Sequence, residues 1–281
     1  MRRDAALAWL GVYYAERRAA VLADLVRENT LLLDTLDARI AAGKAMPAER
    51  TMARQEALAL ADRRDDAQRD IAKARAALRR WVGSRGDDAL VGEPPPLEVH
   101  PEHLRTAVHR HAEIAVYGAL EAAAQADVAE AEAERHGDWG WEVVYSRRGP
   151  QYGDMVSFQL SVDLPWQRGQ RQDLQLAAKR RELQRLDAER DDMLRRHGEE
   201  NEAQFADLQA LDAQRARLDT QGLPLAAERV ALSLASYRSG RSDLGAVLAA
   251  RRDAVETRLR LIDLDAQRAA LRVRLTTLIA E

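Results

Sequence analysis

Two neighbouring stretches decide the fold of this chain: WGWEVVYS at residues 139–146 and VSFQLSVDL at residues 156–164. In both, apolar and polar side chains alternate, which is the period-two pattern of a β-strand with one apolar face. The segment between them is polar and contains glycine and proline. We therefore predict one antiparallel β-hairpin.

The alternation divides this hairpin into two faces. One face carries Trp139, Trp141, Val143, Tyr145, Val156, Phe158, Leu160, Val162 and Leu164. The opposite face carries Glu142, Ser157, Gln159, Ser161 and Asp163. A lone hairpin is marginal in water, so its apolar face must meet either a soluble core or lipid. Strands of this length with aromatic residues near their ends also occur in membrane barrels, and the pattern leaves both possibilities open.

The hairpin differs in composition from the rest of the chain. No alanine occurs in residues 134–176, whereas the 281 residues contain 53 alanines in all. Six of the 13 aromatic residues lie within residues 139–166. Elsewhere, alanine, leucine and charged residues at helical spacing predict long packed helices. The predicted fold class is mainly α, with long antiparallel coiled-coil helices and one amphipathic β-hairpin.

Glycine and proline set the boundaries of five predicted segments. They are a first helical hairpin at 1–83, a Pro/Gly-rich linker at 84–100, a helix at 101–136, the β-hairpin region at 137–167, and a second helical hairpin at 168–281. The helix that begins at Pro101 is predicted to continue to about Glu134. Gly222 and Pro224 are predicted to kink or interrupt the first helix of the last segment, and Asp243 is predicted to cap its second helix.

The two helical hairpins look related. A shift of 197 residues superimposes Gly43 on Gly240 and Leu78 on Leu275. In both places a helix, a glycine turn and an alanine-rich helix follow one another, which indicates an internal duplication. The alternative is that any two hairpins rich in alanine, leucine and arginine align this well by composition alone.

Charge and residue types limit the chemistry that the chain can perform. With 43 basic and 46 acidic residues the net charge is −3, which argues against nucleic acid as a partner. The absence of cysteine excludes a disulfide framework, a thiolate metal site and a cysteine nucleophile. The chain contains no nucleophile-elbow, phosphate-loop or zinc-protease motif. We predict no enzyme activity, no catalytic residue and no cofactor.

Histidines are the only candidate metal ligands that stand out. His100, His103, His109 and His111 lie within 12 residues. On a helix His100 and His103 are at i and i+3, whereas His109 and His111 point to different sides, so at most part of the group converges. A solvated helix face is the preferred interpretation, and a zinc or copper site is the open alternative. No metal site is assigned, and His197 lies isolated along the sequence.

Four short motifs carry a resemblance to a known family. They are VDLP at residues 162–165, RGQR at 168–171, SYRSG at 236–240 and LAAR at 248–251. With the order of helices, proline-rich break and hairpin, they make the chain resemble the TolC-like outer-membrane efflux factors over nearly its whole length. The branch that it resembles is the heavy-metal efflux (CzcC-like) branch.

The resemblance implies a homotrimeric outer-membrane channel with a shared β-barrel and a periplasmic helical tunnel. Its partners would be a periplasmic adaptor protein, an inner-membrane pump and outer-membrane lipid. By position, the apolar face of the hairpin would meet lipid and the polar face would line the lumen. Adaptor-docking tips would lie at Gly43, Lys44, Gly240, Arg241 and Asp243. The implied function is passive export of heavy-metal ions or small toxic solutes.

The chain departs from the family pattern at its start. It lacks the secretion signal and the first strand pair that the family shows, so an N-terminally truncated member is expected. A trimer would then carry six strands where twelve are expected, and the chain as written would stay in the cytoplasm. Two alternatives remain open: a soluble coiled-coil interaction protein whose hairpin caps the helices, and a pore-forming helical protein with a β-tongue.

Overall fold

A computed structural model describes residues 1–106, 111–136, 139–147, 149, 151–162 and 170–277. The fold is mainly α with one two-stranded antiparallel hairpin, as predicted. The helices are α1 (Arg2–Ala41), α2 (Pro47–Val82), α3 (Pro101–Thr106), α4 (Ala112–Ala133), α5 (Gln172–Arg217), α6 (Leu223–Arg238) and α7 (Leu244–Thr276). The strands are β1 (Trp139–Ser146) and β2 (Met155–Val162). Among the described helices, none combines the length and the apolar character that crossing a membrane requires.

The chain forms two compact units. The first unit comprises Met1–Leu104 and Asn201–Leu278, and the second comprises Arg105–Glu200. Helix α5 contributes its first part to the second unit and its last part to the first. The five segment boundaries predicted from the sequence stay predictions.

Apolar clusters between the helices form the core in the described part of the first unit. One cluster joins α1, α2, α6 and α7 through Leu36, Ala53, Tyr237, Leu244, Val247 and Leu248. The second contains Leu22, Leu25, Leu60 and Val255, and the third contains Leu10, Tyr14 and Val273. The helical hairpin α1–α2 is therefore packed against α7 at several levels, which holds the two helical hairpins together.

A π-helical turn between α5 and α6 accommodates Pro224, which was predicted to kink or interrupt the helix. Residues Leu218–Gly222 form a π-helical turn in which the Leu223 N–H donates to the Leu218 carbonyl, five residues back. Pro224 has no N–H and its ring crowds the carbonyl four residues earlier, so a wider turn accommodates it without ending the helix. A Cβ at Gly222 would lie 2.7 Å from Leu218 Cδ1, so a larger residue there would require the Leu218 side chain to move.

The helix predicted from Pro101 to about Glu134 is wrong at His111. This residue has extended backbone angles, with φ −57° and ψ 134°, and α4 begins at the next position. Its carbonyl accepts hydrogen bonds from the N–H groups of Ile114 and Ala115, both at 2.9 Å. His111 is therefore the N-cap of a new helix. Residues 107–110 lie outside the described part of the chain.

In the second unit, α4 and the first part of α5 run antiparallel. Ion pairs join them at successive levels: Glu121 with Arg190 at 2.8 Å, Asp127 with Lys179 at 2.6 Å, and Glu132 with Arg180 at 3.4 Å. Glu121 on α4 meets the later part of this stretch of α5, whereas Asp127 and Glu132, which come later on α4, meet the earlier Lys179 and Arg180, as an antiparallel pair requires. Ion pairs at or near the surface contribute little stability each.

Candidate functional site

The strand register confirms that the hairpin has an apolar face. Its apolar residues pair directly across the strands: Trp139 with Val162, Trp141 with Leu160, Val143 with Phe158, and Tyr145 with Val156. Directly opposed residues of an antiparallel pair lie on the same face. These eight residues are called the apolar face below. Leu164, which was predicted to join them, lies outside the described residues.

The apolar face is open to solvent throughout. Every one of its side chains is more than half exposed, from 52% for Val143 to 72% for Trp139. No element in the described part of the chain covers it. A soluble monomer rarely leaves a contiguous apolar patch of this kind uncovered, because burying apolar surface is the main driving force of folding. The apolar face is therefore an interaction surface, for lipid or for another protein.

The opposite face of the hairpin carries mostly polar residues. Its pairs are Gly140 with Ser161, Glu142 with Gln159, Val144 with Ser157, and Ser146 with Met155. The Ser161 hydroxyl donates to the Gly140 carbonyl at 3.3 Å, and a Cβ at Gly140 would lie only 3.0 Å from that hydroxyl. Val144 and Met155 interrupt the polar character at the end near the loop. Asp163, also predicted for this face, lies outside the described residues.

At the first glycine turn, two backbone hydrogen bonds close the C-terminus of α1. The Gly43 N–H donates to the Ile40 carbonyl at 3.0 Å, and the Lys44 N–H donates to the Arg39 carbonyl at 2.8 Å. Gly43 has φ +69°, a left-handed conformation that side chains with a Cβ rarely adopt. This arrangement is the Schellman motif, which satisfies the last carbonyls of a helix.

The second glycine turn repeats the first at an offset of 197 residues. The Gly240 N–H donates to the Tyr237 carbonyl at 3.0 Å, and the Arg241 N–H donates to the Ser236 carbonyl at 2.9 Å. Gly240 has φ +72°. The helix after each turn begins at the same offset, at Pro47 and Leu244. Equivalent hydrogen bonds at equivalent positions are compatible with the predicted duplication, but many helices that end at a glycine form the same bonds, so the duplication stays a prediction.

The apolar cluster around Leu36 brings the two glycine turns to the same end of the first unit. Tyr237 belongs to this cluster and donates its hydroxyl hydrogen bond to Glu49 on α2. The Arg39 guanidinium lies 5.0 Å from the centre of the Tyr237 ring. The five tip residues Gly43, Lys44, Gly240, Arg241 and Asp243 are all exposed. We call these five residues the turn end.

Asp243 caps α7, as predicted. Its carboxylate accepts a hydrogen bond from the Ala246 N–H at 2.9 Å. The equivalent residue before α2 is Met46, which makes no side-chain cap. The Asp243 carboxylate is engaged with the start of its own helix.

We expect the stability of the first unit to fall as pH rises from about 10 to about 12. Burial and the hydrogen bond to Glu49 raise the pKa of Tyr237 to about 12, above the usual value near 10. The folded chain holds this proton more tightly than the unfolded chain, so the contribution is complete below about pH 10 and is lost as pH rises through about 12. Urea unfolding across this range measures the loss.

The matched variant for this measurement is Tyr237→Phe. It keeps the ring in the cluster and removes the titrating hydroxyl, so its stability should decline less over the same pH range. An equal decline in the variant and the unmodified chain would contradict the role assigned to Tyr237.

Helix packing in the second unit brings together two histidines that the sequence keeps apart. The rings of His111 and His197 lie 4.1 Å apart, centre to centre. His197 Nε2 lies 3.2 Å from a carboxylate oxygen of Glu113. His197 looked isolated along the sequence because its partners come 84 and 86 positions earlier. Of the predicted histidine group, His100 is exposed and His109 lies outside the described residues.

Solved structures with the same fold include outer-membrane channels. The chain matches CusC, whose structures describe folding and transmembrane channel formation, with a TM-score of 0.84 and 17% identity over 98% of this chain and 67% of that chain. It matches the outer membrane protein VceC of Vibrio cholerae with a TM-score of 0.78 and 18% identity over 99% of this chain and 69% of that one.

A third match is the MtrE outer membrane channel of Neisseria gonorrhoeae in its open state, with a TM-score of 0.73 and 15% identity over 99% of this chain and 65% of that one. No protein-family model and no curated protein sequence matches the chain. These comparisons show the fold, which corresponds to about two thirds of an outer-membrane channel protomer. CusC forms a transmembrane channel, and MtrE is an outer membrane channel.

Proposed function

We propose that this chain is the outer-membrane channel component of a tripartite efflux system and belongs to the TolC-like family. The observation that carries the proposal is the apolar face of the hairpin, each of whose side chains is more than half exposed, on a fold shared with outer-membrane channels. In this role the chain is a passive conduit and performs no covalent chemistry. The helices would lie in the periplasm and the hairpin in the outer membrane.

The dimensions of the hairpin are compatible with a membrane. A strand of eight residues spans about 27 Å, and a tilted strand of that length covers most of an apolar band of about 25 Å. Trp139 and Tyr145 lie near opposite ends of β1, where a membrane barrel places its aromatic residues. On the other face, Glu142, Ser157, Gln159 and Ser161 would line the lumen.

The free edges of the hairpin favour an assembly of several copies. Two paired strands leave one row of backbone N–H and C=O groups unpaired on each outer edge, and lipid offers these groups no hydrogen bonds. Only a closed barrel satisfies all of them, so strands of other copies must pair with these edges. We propose a homotrimer, in agreement with the resembled family.

The turn end is the proposed docking site of the periplasmic adaptor. Lys44 and Arg241 follow the two turn glycines at equivalent positions, so the surface carries two exposed cations in equivalent backbone settings. An adaptor with acidic groups would complement them. The pump would then meet the channel through the adaptor and not through this chain.

We expect the paired change Lys44→Glu and Arg241→Glu to weaken binding of the cognate adaptor by about tenfold or more, because two attractive charges become repulsive. Lys73→Glu on α2 is the matched control, since Lys73 is an exposed cation in the same unit away from both turns. Surface-immobilised adaptor and the full chain in detergent give the affinities. Unchanged affinity of the paired variant, or an equal loss in Lys73→Glu, would remove the docking assignment.

The transported substrate is proposed as heavy-metal ions or small toxic solutes. The heavy-metal branch is supported by the sequence motifs at 162–171 and 236–251. Tolerance of a channel-deficient strain that carries the matching pump, measured with metal salts and an organic toxicant side by side, distinguishes the two classes. Restored tolerance to the organic toxicant alone would exclude the metal assignment.

A further inference from the structure

We propose that His111, Glu113 and His197 form a site for zinc or a similar divalent transition-metal ion between α4 and α5. The potential ligand atoms of the three side chains all lie within 4.8 Å of one another. Two imidazoles and one carboxylate are a common zinc ligand set, and water completes the fourth position where such a site stays open. The site is separate from the apolar face and from the turn end.

The ligand atoms would have to approach one another by about 1.5 Å at most, from the 4.8 Å within which they lie to the spacing of a tetrahedral zinc site. Zinc binds imidazole nitrogen and carboxylate oxygen at about 2.0–2.2 Å, which puts neighbouring ligands of a tetrahedral site roughly 3.3 Å apart. His197 Nε2 and the nearer Glu113 oxygen are already 3.2 Å apart. The side chain of Glu113 is exposed and free to rotate, so it can follow the ion as the two rings adjust.

A buried nitrogen without a partner points to a missing ligand. Within the described part of the chain, His111 Nδ1 has no exposed surface and no hydrogen-bond partner. Buried polar side-chain atoms nearly always have a partner, so an orphan needs an explanation. A cation held between His111 and His197 supplies one, because the imidazole nitrogen would donate its lone pair to the ion.

A second carboxylate, that of Glu200, lies beside His197, which is the more buried of the two histidines. His197 is only 9% exposed, and its Nδ1 lies 3.5 Å from Glu200 one turn further along α5. Metal-binding histidines commonly donate their other N–H to a carboxylate, which orients the ring and raises its basicity. Glu200 thus leaves His197 Nε2 facing Glu113, where the ion would bind.

The position of the site indicates what the ion does. His111 is the non-helical N-cap where the chain re-enters a helix, and Glu113 lies in the first turn of α4. An ion bound by His111, Glu113 and His197 would hold the N-terminus of α4 against α5. Metal binding should therefore stabilise the second unit, since an ion that binds only the folded state adds its binding free energy to folding.

Zinc titration of the full chain, followed by calorimetry and by the visible absorption of bound cobalt(II), tests the proposal. We expect one ion per chain at micromolar concentration. His197→Ala and His111→Ala should each weaken binding by about 100-fold or more, and Glu200→Gln by about 10–100-fold. His136→Ala is the matched control, because His136 is exposed in the same unit outside the cluster.

A triple variant separates this site from the other histidines of the same region. Replacing His100, His103 and His109 with alanine should leave one tight zinc site. The proposal would be overturned if the triple variant lost zinc binding, or if the unmodified chain showed no saturable binding. It would also be overturned if the double variant His111→Ala with His197→Ala bound zinc as tightly as the unmodified chain. Far-UV circular dichroism checks that His197→Gln, which keeps a side chain of similar size, is folded. Binding in solution does not depend on the proposed channel role.

Discussion

Replacement of Leu160 with arginine is expected to abolish membrane insertion of the full chain. Leu160 lies on the apolar face opposite Trp141, in the middle part of the hairpin. An arginine on the lipid face near the middle of a bilayer costs about 2–4 kcal/mol, which corresponds to a loss of about 30-fold to 1,000-fold in the inserted fraction. Flotation with lipid vesicles measures that fraction.

The neighbouring residue provides the control. Gln159 lies on the polar face opposite Glu142, so Gln159→Arg adds the same charge to the same strand without facing lipid. We expect it to insert nearly as well as the unmodified chain. Equal loss in both variants would contradict the assignment of two faces.

The same pair of variants separates the competing interpretations of the hairpin. If the apolar face covers a soluble core or partner, Leu160→Arg should lower the thermal unfolding temperature in plain buffer and leave vesicle binding unchanged. If the chain is a pore former with a β-tongue, the unmodified chain should make vesicles leaky on its own. Either result would count against the channel proposal.

Replacement of Leu36 with alanine is expected to lower the free energy of unfolding by about 2–5 kcal/mol. Leu36 is fully buried in the cluster that joins α1, α2, α6 and α7. Truncation loses apolar contacts and leaves a cavity between two helical hairpins, which the long helices cannot close without shifting along one another. Urea unfolding followed by circular dichroism measures the change.

Leu31→Ala is the matched control for this prediction. Leu31 lies on the same helix but is 65% exposed, so its truncation should change the unfolding free energy by about 0.5 kcal/mol or less. Similar losses in the two variants would show that the cluster around Leu36 does not hold the helical hairpins together.

Local chemistry made much of the fold predictable from the sequence. Gly43 and Gly240 supply the left-handed conformation that ends a helix, and Pro47 suits the first turn of the next, so both turns were located correctly. The faces of the hairpin were also predictable, because the period of two in a strand depends only on neighbouring residues. These signals act over a few positions.

The remaining features depend on contacts between distant residues. Nothing in residues 106–112 resembles a helix break, yet His111 is the non-helical N-cap of α4, and its ring lies against His197 on another helix. Pro224 locally predicts a helix break, but the helix continues through a π-helical turn, whose hydrogen bond spans five residues instead of four. What covers the apolar face is equally beyond local patterns, because the covering partner is not part of the described chain.

The repeated turns also have a consequence for how selectively the first unit can be recognised. Each chain presents the same backbone turn followed by a positive charge twice, after Gly43 and after Gly240. A partner that recognises only these two properties can therefore bind either turn. Two linked contacts of this kind raise avidity without any new interaction, provided that both can form at once. Only side chains such as Met46 and Asp243, which stand at equivalent places with different chemistry, let a partner distinguish one turn from the other.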